Sequence, residues 1–425
     1  MKRKSVMAKF AGVFLAAVLT AASVFSVCAF TACGDETEPS GFTMTYELAR
    51  EMNMENFGVN VAEVSANDLA NFEWWNDGFI RMSDPEEKLE ELKYYSIVHN
   101  LEITKSDGET YNIYGYFQVP LDFDPSWITD DAGGRTWPVA VQCHGYNTNS
   151  NGFMSADWAN TWVEKGYITY CFDFVGGSSG GKEVFRTGVR SGNKELETWT
   201  EENNPDWMNM SVYTEVEDLD CVLNALKELP FVQDDNFAVL GQSQGGVVAA
   251  IEAARREEAR AAEGLENDIK GLVLVYPAFS FVNDMHVSYP TLDDMYDAVQ
   301  DDGRIFIMGA NIGTKYITDM YDEGEYNPDT GLYEIYDLVA GYSNSVLIVT
   351  GSGDTTVDPS WSFNAINQLT SPYGDSQSTL VLVSNAVHAF DMMSNTPLKQ
   401  KQMCWGALAD YLDLNGLTVN GEDAE

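Results

Sequence analysis

The chain has 425 residues, 44% hydrophobic and 12% aromatic, enough apolar material for one large domain with extensions or two ordinary ones. That composition excludes a disordered acidic chain. Lys and Arg number 24 against 66 Asp and Glu, a formal net charge of −42, so the surface repels nucleic acid and suits neutral or cationic partners.

Residues 1–33 read as an export signal, to be set aside before any fold reasoning. Lys2, Arg3 and Lys4 form a basic start, and residues 10–30 are an apolar run interrupted only by small residues and polar Thr and Ser. Phe30-Thr31-Ala32-Cys33 closes the run just before the polar GDETEPSG. The segment resembles a bacterial lipoprotein signal, in which the cysteine is lipidated and becomes the new N-terminus; Cys33 is that residue here. An ordinary secretory signal and a transmembrane anchor are the alternatives. Each places the rest of the chain outside the cytoplasm, lipid-anchored to the membrane or secreted.

Residues 34–93 form a polar, irregular extension in which Trp74-Trp75 stands out. Paired tryptophans stack on sugars when exposed, but packing onto the main domain is their more common fate. From residue 94 the pattern sharpens. The β-rich runs 95–103 and 111–119, joined through Ser106-Asp107-Gly108, predict one long hairpin. Apolar strands are expected at 138–143, 168–174, 237–240, 271–276, 345–350 and 379–383. Helices fit 157–164, the stretch carrying Leu219, Val222, Leu223 and Leu226, then 245–262, 360–369 and 399–412. Short apolar runs alternating with helices predict an α/β fold: a doubly wound, mostly parallel sheet covered on both faces. Two polar excursions interrupt the alternation, 178–210 and 280–342. Loops of this length inside a compact domain usually act as lids or caps. Residues 417–425 read as an acidic tail. Cys143, Cys171, Cys221 and Cys404 fall within predicted elements without C-x-x-C spacing, which fits small buried hydrophobes and not a metal site.

G-x-S-x-G matches three times, at Ser178, Ser179 and Ser243, so the pattern alone selects no nucleophile. Context separates them. A nucleophile elbow needs a strand before the serine, a helix after it, and small residues where the chain turns. Ser243 has all three in FAVLGQSQGGVVAA; Ser178 and Ser179 run into charged, glycine-spaced sequence and read as loop. A serine hydroxyl needs a base. Of four histidines, His99 sits in an early strand, His286 in the cap, and His144 just after a strand. His388, past strand 379–383 and before the last helix, alone satisfies the order serine, acid, histidine. The acid is expected after strand 345–350. Asp354 lies nearest the strand's carboxyl end, while Asp358, preceding Pro359, suits a helix cap. Backbone amides of Gln244, following the serine, and of Tyr146, after His144-Gly145, are the expected oxyanion donors.

These residues together resemble the α/β-hydrolase superfamily. HGY after a strand, GQSQGG at the elbow, GSGDTTV after the acid strand and VHAF before the last helix are similar to dienelactone-hydrolase-like esterases. The segment running from Met210 and Ser211 to Glu215 and Asp218 resembles more closely the feruloyl (cinnamoyl) esterases of gut bacteria. The resemblance covers residues 94–416, with a cap at 280–342 inserted before the acid strand. One departure is Phe174-Val175-Gly176-Gly177, where many relatives carry an Arg-Gly pair. The resemblance implies a serine carboxylic-ester hydrolase working through an acyl-enzyme, with no metal or organic cofactor, and the N-terminal signal adds export. Its substrates would be feruloyl, cinnamoyl or acetyl esters of plant polysaccharides. A serine peptidase of related fold and a non-catalytic glycan-binding surface lipoprotein are the alternatives. Oligomeric state is not legible.

Overall fold

The structure is a computed structural model that describes residues 93–419, apart from 130–132, 151–157, 178–199, 201, 203, 281–288, 290–291, 309, 324, 328–331, 335, 370–377 and 393–395. The expected export signal with Cys33, the extension up to residue 92 with Trp74 and Trp75, Ser178, Ser179, His286 and the end of the tail lie outside the described residues.

An eight-stranded sheet organises the chain. In chain order its strands are β1 (Tyr94–Val98), β4 (Gly115–Pro120), β5 (Trp137–Cys143), β6 (Ile168–Phe172), β7 (Val232–Gln242), β8 (Ile269–Val275), β13 (Val346–Gly351) and β14 (Thr379–Val383). Their spatial order is β1-β4-β6-β5-β7-β8-β13-β14. β1 and β4 pair antiparallel, as do β4 and β6; every pairing from β6 onward is parallel. Helices α1 (Trp158–Glu164), α2 (Pro205–Met208), α3 (Val212–Lys227), α4 (Gln244–Ala262), α8 (Pro359–Gln368) and α9 (Leu398–Leu414) connect or follow these strands. This is the doubly wound α/β-hydrolase arrangement.

Strand pleating explains why the central parallel strands are apolar along their buried lengths. Val139, Val141, Val239 and Leu272 face one core together with Leu219, Val222, Val247 and Ile251 of α3 and α4. Their neighbours Ala140, Ala238, Leu240 and Val273 face the second core with Trp158 and Trp162 of α1 and Leu408 and Tyr411 of α9. A strand buried on both faces has no polar alternation to show. Each fully buried aliphatic side chain contributes about 1.5–3 kcal/mol of transfer free energy. α3 starts where its sequence dictates: Ser211 caps the Thr214 amide, and the Thr214 hydroxyl accepts from the Ser211 amide.

The single long hairpin expected from 95–119 is instead two. β2 (Leu101–Thr104) and β3 (Thr110–Ile113) form their own ladder, while β1 and β4 join the main sheet. At the break the His99 amide still donates to the Gly115 carbonyl at 2.9 Å, while two other backbone groups find partners elsewhere. The Tyr170 hydroxyl donates to the His99 carbonyl at 2.9 Å, and the Gly115 amide donates to Asn100 Oδ1 at 3.4 Å. Buried backbone groups at the break are thus paired although the sheet ladder ends there.

Between β8 and β13 lie α5 (Leu292–Asp302), β9 (Arg304–Ile307), β10 (Ala310–Gly313), α6 (Thr314–Glu323), the short pair β11 (Glu325–Asn327) and β12 (Leu332–Glu334), and α7 (Tyr336–Val339). None of these strands joins the main sheet. Among the described residues, no helix is long and apolar enough to cross a membrane.

Candidate active site

Ser243, Asp354, His388, Tyr146 and Gln244 all lie just beyond the carboxyl ends of parallel strands or in the loop after β14, the edge where open α/β sheets gather ligands. Ser243 is the residue between β7 and α4, with φ 53° and ψ −119°. A non-glycine residue at positive φ costs on the order of 1–3 kcal/mol unless its surroundings hold it there. They do: its amide donates to the Val275 carbonyl at 2.9 Å, and its carbonyl accepts from Gly246 and Ala278 at 3.0 and 3.1 Å. The turn also needs glycine. A Cβ on Gly245 would stand 2.4 Å from the Cys143 and His144 carbonyl oxygens, and one on Gly241 would stand 2.1 Å from the Gly245 carbonyl oxygen.

Ser243 Oγ is 3.1 Å from His388 Nε2, and His388 Nδ1 is 2.8 Å from Asp354 Oδ2. A carboxylate oxygen only accepts, so the imidazole proton sits on Nδ1 and Nε2 is left to accept from the serine hydroxyl. The other carboxylate oxygen of Asp354 takes the amides of Thr356 and Val357, both at 2.9 Å. The carboxylate is thereby fixed in rotation. Asp358 instead caps α8, accepting from the Ser360 amide at 2.8 Å. The acid and histidine loops are tied to each other, Gly353 donating to the Ala386 carbonyl and the Asn385 amide to Ser352 Oγ.

The loop after β5 runs beside the serine. A Cβ on Gly145 would lie 3.0 Å from Ser243 Cβ, so the backbone at Gly145 runs close beside the serine side chain. His144 is buried and structural: its Nδ1 donates to the Gly145 carbonyl at 3.0 Å, and its Nε2 accepts from the Phe174 amide at 3.2 Å. Burial holds its imidazole below the usual range, so it stays neutral. Gln244, as the first residue of α4, has a backbone N–H without an intrahelical acceptor.

Four further residues shape the site without having been singled out for a role there. The Tyr276 ring packs against the His388 imidazole with centroids 4.6 Å apart. Its hydroxyl donates to Asp391 Oδ1 at 2.6 Å, while Asp391 Oδ2 accepts from Gln242 Nε2 at 2.5 Å and Trp158 Nε1 at 3.0 Å. Burial pushes the Asp391 carboxyl up, against the pull of those three donors. On the opposite side, Gln244 Nε2 donates to Glu215 Oε2 at 2.6 Å, and Gln244 Oε1 accepts from the Tyr316 hydroxyl at 2.7 Å. His99 lies away from this group, its ring 5.8 Å from that of Phe117. Cys143, Cys171 and Cys404 are buried thiols, and Cys221 is half-buried. No cluster of three or more metal-ligating side chains occurs among the described residues.

The arrangement can deliver a serine oxygen to an electrophilic carbon, with an imidazole base behind it. A family model described as acetyl xylan esterase (AXE1) matches residues 86–388. No curated protein matches the chain. Among solved structures, Est1E from Butyrivibrio proteoclasticus is 15% identical with a TM-score of 0.45, covering 74% of this chain and 98% of its own. A putative hydrolase from Agrobacterium vitis S4 is 15% identical with a TM-score of 0.48, over 74% and 98%. Dipeptidyl peptidase 4 from Porphyromonas gingivalis is 18% identical with a TM-score of 0.45, over 77% of this chain and 37% of that one. Likenesses this distant carry no argument about activity. The family match, spanning well over half the sequence and ending on His388, does: the chain belongs to the acetyl xylan esterase (AXE1) family and is a carboxylic-ester hydrolase.

Proposed function

We propose that Ser243, His388 and Asp354 form the catalytic triad of an esterase that removes acetyl groups from plant polysaccharide. The observation that carries this reading is the hydrogen-bonded relay from Ser243 Oγ through the imidazole to Asp354. Ser243 Oγ attacks the ester carbonyl carbon as its proton passes to His388 Nε2. The carbonyl oxygen becomes an oxyanion, held by the amides of Tyr146 and Gln244, a contribution worth about 3–4 kcal/mol per donor. The carbon–oxygen bond to the sugar then breaks, and His388 returns the proton to the departing hydroxyl. Water repeats the sequence on the acyl-serine and releases the acid. Asp354 keeps the imidazole in the required tautomer throughout.

The family supports an acetyl ester over a bulkier one. Export, with a lipid anchor on Cys33, is part of the proposal and is supported by the sequence of residues 1–33. The test is hydrolysis of p-nitrophenyl acetate and acetylated xylan by the mature chain and by Ser243→Ala, with methyl ferulate and an aminoacyl anilide alongside. Acetyl turnover that vanishes in the variant is expected. An inactive wild type, or a variant that keeps its rate, contradicts the triad; preference for methyl ferulate or the anilide contradicts the substrate.

A further inference from the structure

Both residues whose amides are assigned to the oxyanion are held from the inserted segment between β8 and β13. The Tyr146 hydroxyl donates to the Ile307 carbonyl in β9 at 3.0 Å. Gln244 is gripped at both ends of its carboxamide, Tyr316 of α6 donating to Oε1 and Glu215 of α3 accepting from Nε2. A hydroxyl meets the carbonyl end and a carboxyl oxygen meets the NH2 end, so both ends of the carboxamide are hydrogen-bonded. None of the three side chains is free to rearrange, since Gln244, Glu215 and Tyr316 are 1%, 2% and 0% exposed. The same two helices are joined again by the Ser211 hydroxyl, which donates to Asp319 Oδ2 at 2.5 Å, and the Trp207 indole donates to the Asn311 carbonyl at 2.5 Å. The segment is therefore docked at several points on the serine's side of the molecule.

Gln244 also follows the strained Ser243, and a positive-φ residue persists only where its neighbours over-determine it. We infer that Tyr316 and Glu215 are positioning residues: they clamp the Gln244 side chain, fix its backbone N–H at the oxyanion, and so make the inserted segment set the rate of the chemical step. The inference rests on the oxyanion role proposed above for Gln244. Neither residue touches substrate; each acts through Gln244.

The test uses the full chain with Tyr316→Phe, which removes only the hydroxyl. On p-nitrophenyl acetate, kcat is expected to fall about tenfold while KM stays within about twofold, because a donor displaced by a fraction of an ångström is lost to the transition state more than to the ground state. Phosphorylation of Ser243 by diethyl 4-nitrophenyl phosphate is expected to slow by a similar factor. Tyr342→Phe is the stability control: it removes a buried hydroxyl bonded to the Ile269 carbonyl at the far end of β8. Rescue by an amide tests the acceptor directly. Glu215→Leu is expected to lose rate about as Tyr316→Phe does, and Glu215→Gln, which restores an acceptor oxygen, to recover most of it. A Tyr316→Phe enzyme that melts like Tyr342→Phe and keeps its kcat overturns the inference, as does a loss confined to KM or a Glu215→Gln as slow as Glu215→Leu. Turnover in the wild type that survives Ser243→Ala removes the triad and this inference together. Ser243-dependent turnover indifferent to Tyr316→Phe removes this inference alone.

Discussion

Glu215→Gln should change how the protein's stability responds to pH. Burial pushes the Glu215 carboxyl from its ordinary 4.5 up to about 8, opposed only in part by the Gln244 hydrogen bond; Asp218 raises it further and Lys105 lowers it. The folded chain thus keeps a proton that the unfolded chain releases. Between pH 4.5 and about 8 the unfolded state binds fewer protons, so this group makes stability fall as pH rises through that window. At about 1.4 kcal/mol per pH unit, the loss between about pH 5 and pH 8 is on the order of 3–4 kcal/mol. The Gln variant keeps an acceptor for Gln244 Nε2 and carries no titrating proton. Its stability relative to wild type should therefore rise by that amount over the same range, with the two nearly equal near pH 4.5. Urea unfolding of both proteins at about pH 5, 6.5 and 8 reads the difference, and groups common to both cancel. A gap that stays constant across the three conditions would refute the buried, proton-retaining carboxyl.

The two aspartates after β13 should part company. Asp354→Asn is expected to lower kcat by about four orders of magnitude by spoiling the imidazole tautomer, whereas Asp358→Ala should cost about 1 kcal/mol of stability as a lost helix cap and leave kcat within about twofold. Steady-state kinetics and thermal melts of both variants check the assignment, and equal kinetic losses would overturn it. Asp391→Ala strands the Tyr276 hydroxyl, the Trp158 indole N–H and the Gln242 amide in the interior, so a destabilisation of about 3 kcal/mol is expected in urea. A cost below about 1 kcal/mol would show that those donors find other partners.

Much of the molecule was legible along the chain because its signals are local. β7, Ser243 and α4 form one contiguous strand–turn–helix, and His388 and Asp354 each follow an apolar strand in the required order. Burial on both faces marked the parallel strands. What escaped was held through space. Gln244 meets Tyr316 across 72 residues and Glu215 across 29, so no window shows the clamp. One clue was present: Glu215 lies on the face of α3 that carries Leu219, Val222 and Leu226, and a carboxylate on an apolar stripe needs a partner. Asp391 follows His388 closely with nothing in HAFDMM to mark it as the anchor of Tyr276. The broken hairpin escaped for the same reason, since the Tyr170 hydroxyl that takes up the His99 carbonyl at the break lies 71 residues away.

In the proposed mechanism Ser243 carries the acyl group. Acid quenching of the enzyme during p-nitrophenyl acetate turnover, followed by proteolysis and mass spectrometry, tests it most directly. One acetyl group on the peptide containing Ser243, absent from Ser243→Ala, is the expected result. Turnover with the acetyl group on another side chain, or with no acyl-enzyme while hydrolysis persists in the variant, would contradict the account.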